Sequence, residues 1–325
     1  MKRWIFLFAF LGVLELAAKT LASCGAAICP LNTHQSLNGG QLQLRLSHEY
    51  INQNEIYTGS KKSFIGALPS AHDEVKTINQ RTVLEGQYGI TKAWGAGIEL
   101  PFIIREHSHI EDSALEVFNF EGLGDATITG QHGFNFGSVI SPARLDFKAG
   151  IKVPTGLTDA KNDEGEQAEV TVQSGTGSWD GIFGANLQIP LFTVPSLSGG
   201  LYSKLPLSAG VSYRLSGKGT DDYQFGNEVL AHLGTEYQMF PRLSLLFQAN
   251  GRWQDFADVG ATGEFRSNTG GTWIYASPGL SFRLTDALSA YSYAQIPVYQ
   301  KVNGIQQVSK LNWQFGLTAD VKVLK

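Results

Sequence analysis

Hydrophobic and polar residues alternate without a break over residues 309–323. Leu311, Trp313, Phe315, Leu317, Ala319, Val321 and Val323 make one row; Asn312, Gln314, Gly316, Thr318, Asp320 and Lys322 make the other. Successive side chains of a strand point to opposite faces, so this is a strand with one greasy and one polar face. Its length and its leading aromatic residues predict the final strand of a closed sheet whose exterior meets hydrocarbon. The pattern recurs at 41–50, 76–90, 95–105, 124–136, 142–153, 178–191, 203–214, 223–237, 242–253, 272–284 and 287–298. An all-β chain of about twelve strands follows. In 142–153, Ala143, Leu145, Phe147, Ala149, Ile151 and Val153 oppose Arg144, Asp146, Lys148 and Lys152. In 223–237 the greasy row is Tyr223, Phe225, Val229, Ala231, Leu233 and Tyr237. Residues 287–298 leave their facing open, because both rows are small or aromatic.

The connections divide by length. Those at 51–75, 106–123, 154–177 and 254–271 are long, and those at 91–94, 137–141, 238–241 and 285–286 are short. Segregated loop lengths fit a transmembrane barrel with long outer loops and short periplasmic turns. An even strand count puts both termini on the periplasmic side. Hydrocarbon offers no hydrogen-bond partners, so a spanning sheet has to close on itself. It also rejects charge, by about 2–4 kcal/mol for Arg or Lys at mid-depth. The greasy rows carry no Lys, Arg, Asp or Glu. Tyr50, Tyr88, Trp94, Trp179, Trp253, Trp273 and Trp313 lie near strand ends. Their amphipathic rings predict girdles at the two membrane interfaces.

Composition supports this picture. The 325 residues include 37 Gly but only 2 Met and 2 Cys, and a net charge of −4 leaves no basic footprint for nucleic acid. Residues 1–3 are basic at Lys2 and Arg3, and 4–14 are apolar, as in a secretory signal. The expected organisation is a signal over 1–22, a periplasmic or plug segment over 23–40 and an outer-membrane barrel over 41–325. Cleavage leaves Ser23 first. Leu21-Ala22-Ser23-Cys24 also fits a lipobox, which would make a lipidated Cys24 the first residue. Cys24 and Cys29 would meet an oxidising compartment, where a disulfide is the favoured reading. So small a loop adds little global stability. Two thiols without adjacent histidines are a poor metal set.

The polar rows supply the candidate lumen. Arg45, Glu49, Arg81, Glu85 and Glu99 come from the first three strands, with Arg105 beyond them. Arg144, Asp146, Lys148 and Lys152 come from the fifth; Glu228, Glu236, Arg252, Arg283, Asp320 and Lys322 come from later ones. Buried charges need partners, so most of these are expected to pair across the interior. The signs are too balanced to give an ion preference. His107-Ser108-His109 falls in the predicted loop 106–123 beside Glu106, Glu111 and Asp112. It is read as solvated rather than catalytic or metal-binding. Asp159, Asp163, Glu164, Glu166 and Glu169 make loop 154–177 acidic; solubility is the favoured reading, and divalent cations bridging it to lipopolysaccharide are the alternative. No catalytic residue, metal or cofactor is assigned.

An ordered set of short motifs resembles one family. Gly122-Leu123-Gly124-Asp125 precedes the fourth strand, and Gly150-Ile151-Lys152-Val153-Pro154-Thr155-Gly156 ends the fifth. Gly175-Thr176-Gly177-Ser178-Trp179-Asp180 opens the sixth, and Asn227-Glu228 lies in the eighth. Ser277-Pro278-Gly279-Leu280, residues 295–300 (Gln-Ile-Pro-Val-Tyr-Gln) and Val302-Asn303-Gly304 complete the set. Together they resemble the MetA-pathway-of-phenol-degradation family of outer-membrane proteins. The resemblance implies a barrel in a Gram-negative outer membrane that passes small, hydrophobic or aromatic molecules. Its expected partners are membrane lipids, lipopolysaccharide, the barrel-assembly machinery and the solutes themselves. A non-transporting scaffold or docking barrel and a lipid-modifying outer-membrane enzyme are the alternatives. One departure is visible: such barrels usually end in an aromatic residue, whereas this chain ends Val323-Leu324-Lys325.

Overall fold

A computed structural model describes residues 39–67, 73–111, 113–137, 142–195, 197, 202–262 and 265–323. The expected signal, the Cys24 and Cys29 pair and residues 324–325 lie outside them. The chain forms β1 (Gln41–Thr58), β2 (Lys61–Lys62), β3 (Asp73–Gly89), β4 (Trp94–Glu111) and β5 (Ala114–Leu123). Then come β6 (Ala126–Gly137), β7 (Pro142–Val153), β8 (Asp180–Pro195), β9 (Tyr202–Leu215) and β10 (Glu228–Phe240). β11 (Leu243–Gln254), β12 (Gly271–Arg283), β13 (Leu288–Val302) and β14 (Ile305–Lys322) complete the wall. All fourteen belong to one antiparallel sheet, and β14 pairs back onto β1. β2 pairs only with the tip of β1, and β5 only with the far half of β4, so a ring of twelve strands remains.

The seam is long. It runs from Gln41 opposite Lys322 to Thr58 opposite Ile305, with register shifts between Ile51 and Glu55. On its lumenal side Gln43 donates to Asp320 at 2.8 Å and Gln314 donates to Glu49 at 3.2 Å. The two rows separate as the alternation requires. Leu44, Leu46, Ile98, Leu100, Phe147, Ile151, Phe315 and Leu317 are exposed on the outside, while Arg45, Glu49, Asp146, Lys152 and Gln314 are buried. An exposed belt of this kind is a large unpartnered apolar surface, which a membrane covers. Among the described residues no helix is long and apolar enough to cross a membrane.

Several predicted boundaries move, and for one reason. Beyond the membrane the outer face of the wall meets water, so a strand continues there without a greasy row. β1 continues past Tyr50 with Asn52 and Asn54 facing outward, and β4 continues past Ile104 with Glu106 and Ser108. Residues 106–111 are therefore the top of β4, and 114–123 are the whole of β5, not a loop. Likewise β13 and β14 extend to a two-residue turn, Asn303-Gly304, whose glycine takes φ 58°. Tyr223 and Phe225 are not on the lipid face. Tyr223 is buried, packed with Val170 and Ala257 and edge-on to Phe225, and β10 starts only at Glu228. Trp273 is no girdle residue either. It is buried with Tyr275, Val302 and Val308, with the Arg252 guanidinium 5.0 Å from its ring. The open strand resolves with Tyr291 and Tyr293 inward.

The exterior row can be tested against the lumenal one. Phe147→Arg places a cation at mid-wall in lipid and is expected to cost about 2–4 kcal/mol of folding stability. Lys148→Gln, one residue along, should change it by less than about 0.5 kcal/mol. Urea titration of folding into lipid vesicles reads both values, and equal effects would contradict the facing.

Candidate functional site

The wall encloses a cavity of about 460 Å³. Of the residues expected in the lumen, Arg45, Glu49, Arg81, Glu85 and Glu99 line it on one side. Asp146, Lys148, Lys152, Glu228 and Arg252 line it on others. Five stand apart from it, Arg283 among them, exposed at the end of β12. Arg144 is held below by Asp146 at 2.8 Å and by the Lys92 carbonyl at 2.9 Å. Glu236 is half-buried on β10, and Asp320 and Lys322 are exposed at the end of β14.

The charges pair, and strand register decides which. Arg45 lies directly across from Glu85, with 2.8 Å between the charged groups. Glu49 lies across from Arg81 at 3.3 Å, and the same guanidinium donates to Glu99 from the next strand. Each of these anions therefore faces a cation, which offsets the cost of removing it from water.

A second network assembles from the motifs. Between β5 and β6 the strand breaks at Gly124-Asp125, turning the Asp125 carboxylate inward. Asp125 accepts from the Gly156 and Thr176 amides, both at 3.0 Å, from the Thr176 hydroxyl at 2.7 Å and from Lys152 at 2.8 Å. Lys152 also reaches Asp180 at 3.1 Å, and Arg214 lies between Asp180 and Glu228 at 4.0 and 3.2 Å. Arg252 closes the chain on Glu228 at 2.5 Å. Four motifs far apart in sequence thus contribute to one ion network. Asp125, Asp180 and Arg214 were missing from the expected lumen set. The first two sit inside quoted motifs, and Arg214 sits on the polar row of its strand, so both signals were present.

The network also holds the connection between β7 and β8. Residues 154–179 turn into the barrel instead of out into water. Their two limbs cross at Gly156 and Gly175, where a Cβ on Gly156 would come within 2.5 Å of the Gly175 Cα. Only glycine permits that approach. Past this neck Ala168, Val170 and Val172 are buried, and Arg105 donates to the Val172 and Gln173 carbonyls. The acidic tip divides. Asp159, Asp163, Glu164 and Glu166 are exposed, but the Glu169 carboxylate oxygens are buried although the residue as a whole is partly exposed. His107 and His109 are not solvated: they are 0% and 2% exposed and point inward from β4.

The lining is not uniformly ionic. Val83, Pro101 and Ile103 share a patch on β3 and β4, and Ile182 and Leu230 line the cavity from β8 and β10. Small amphipathic or apolar molecules can rest on such a patch between the ion pairs, whereas a wholly charged bore would favour ions.

A closed wall, greasy outside and ionic within, defines a transmembrane β-barrel of the outer-membrane kind. Its fold is similar to that of an outer membrane channel from Pseudomonas putida F1, with a TM-score of 0.62 and 14% identity over 90% of this chain and 99% of that one. The transport unit of the autotransporter AIDA-I from Escherichia coli aligns at a TM-score of 0.44, with 7% identity over 89% of this chain and 93% of that one. The NanC porin aligns at 0.43, with 9% identity over 86% and 98%. These last two are too distant to carry an argument. No protein-family model matches the chain, and no curated protein matches it.

Asp125 is the group that ties the β7–β8 connection to the wall. Asp125→Asn turns an amide toward donors that now find an anion. Lys152 keeps Asp180, so the expected loss is about 1.5–3 kcal/mol rather than that of a stranded charge. Unfolding in vesicles measures it, and residues 154–179 should be cleaved faster by added protease than in the parent.

Proposed function

We propose that this chain is a channel of a Gram-negative outer membrane, passing small apolar or aromatic molecules by diffusion through its lumen. The observation that carries the reading is the cavity of about 460 Å³ in which paired charges frame an apolar patch. Paired ions keep the bore hydrated without a strong field of either sign, and the patch offers weak apolar contacts. Conduction needs binding good enough to enter and weak enough to leave. Four of the motifs that resemble the phenol-degradation family converge on this same lumen, which supports membership of that family. Both termini then face the periplasm, and lipopolysaccharide and the assembly machinery are the expected partners of the wall.

Purified protein in planar bilayers is the test, together with uptake of small aromatic solutes into vesicles. A small, reproducible unitary conductance and uptake faster than in protein-free vesicles are expected. Ile103→Trp fills part of the apolar patch and should lower both, conductance by roughly twofold, because a bore's radius limits its flux. Silence towards ions and solutes alike would overturn the channel and favour a scaffold barrel.

A further inference from the structure

We propose that His107, His109 and Glu169 form a binding site for a divalent first-row transition ion, which joins the inward-folded β7–β8 connection to the barrel wall. The strand places the two histidines first. As i and i+2 on β4 they share the inner face. Register then brings acids to both sides of His109, with Glu74 opposite it on β3 and Glu116 opposite it on β5. The β7–β8 connection supplies Glu169 from within the lumen. One ligand atom from each of His107, His109 and Glu169 lies within 4.8 Å of the others.

The neighbouring groups orient the two rings. Thr77 donates its single hydroxyl proton to Gln307 at 2.7 Å, so its 2.9 Å contact with His107 Nδ1 requires the imidazole to donate. Glu74 lies 3.6 Å from the same nitrogen and draws the proton there too. On His109 the Glu116 carboxylate is 3.3 Å from Nε2 and favours a proton on that side. The remaining nitrogens, His107 Nε2 and His109 Nδ1, then turn lone pairs toward each other at 3.1 Å. Two lone pairs at that distance repel unless a cation lies between them. Nitrogens bound to one tetrahedral Zn²⁺ at their usual bond lengths sit about 3.3 Å apart.

The surroundings fit an ion. The Thr77 hydroxyl behind His107 fixes its tautomer, and the Glu116 carboxylate lies beside His109, where an anion raises the imidazole's basicity. Phe118 stacks on His109 with ring centroids 5.6 Å apart and joins Ala168 and Val172 in an apolar shell. The connection is also prearranged to present Glu169. Gln173 donates to the Ala168 carbonyl at 2.6 Å and accepts from the Ala160 amide at 2.9 Å, while Arg105 grips the carbonyls beyond. Two imidazoles and one carboxylate suit Zn²⁺ and its first-row neighbours rather than Mg²⁺ or Ca²⁺, which prefer oxygen. Three protein ligands leave a fourth position for water.

The test uses the full chain, folded in detergent after chelator treatment and titrated calorimetrically with Zn²⁺. One ion per chain is expected at this site. His107→Gln and Glu169→Gln should each remove it or weaken it at least roughly tenfold, and Glu116→Gln, which only positions His109, should weaken it roughly 10–100-fold. Heat-modifiable gel mobility confirms that each variant is folded. Co²⁺ in place of Zn²⁺ should give the visible absorption of a tetrahedral ion, lost in His107→Gln. Ion binding should also slow proteolysis within residues 154–179. Cys24→Ser is expected to leave the ion in place. Unchanged affinity in His107→Gln, loss only in Cys24→Ser, or no stoichiometric binding by the parent would each overturn the site, the last leaving a histidine pair that shares a proton. None of these readouts depends on conduction.

Discussion

Closure is the constraint on which everything else rests. Inside a bilayer an unpaired backbone amide or carbonyl has nothing to bond to, so the sheet can have no free edge. The pairing of β14 with β1 meets that demand. Once the cylinder is shut, every second residue is committed to lipid and every other one to the interior. Low charge outside and abundant charge inside then follow from one geometric act.

The interior has to settle what closure confines there. Its solution is pairing between neighbouring strands, as in Arg45 with Glu85 and Arg81 with Glu49 and Glu99. The second device is to fold a connection inward and bond it to the wall through Asp125. The inward segment narrows the bore and brings its own polar groups, including Glu169, to a wall that already carries two buried histidines. The lumenal cavity and the candidate metal site thus share one piece of chain but not one set of residues.

What could be read from the sequence tracks where the membrane is. β7 was legible from end to end, because lipid enforces its greasy row from Ala143 to Val153. The top of β4 was not, since Glu106 and Ser108 face water and nothing marks them as strand. His107 and His109 were consequently read as a solvated loop, and their burial became visible only with the register of β3 and β5. Tyr223 and Phe225 failed differently. A period of two persists in a segment tucked inside the barrel, so alternation alone cannot separate it from a wall strand. For β13, aromatic residues on both rows carried no facing information until Tyr291 and Tyr293 were seen inside. The polar rows pointed to many of the ions that line the cavity but not to Asp125 or Asp180, which lie at strand breaks and openings, and not to any pairing, because a pair depends on register between strands.

The Asp125 hub bears on the order in which the molecule is put together. Its bond to Gly156 spans 31 residues, whereas the seam contact of Gln43 with Asp320 spans 277. Loop-closure entropy makes the second contact dearer by about 2 kcal/mol. The interior can therefore be furnished while the cylinder is still an open, curling sheet, and nothing has to be threaded through a finished ring. An inward segment anchored this locally adds little loop-closure cost of its own, and the larger entropic demand falls on joining the two ends.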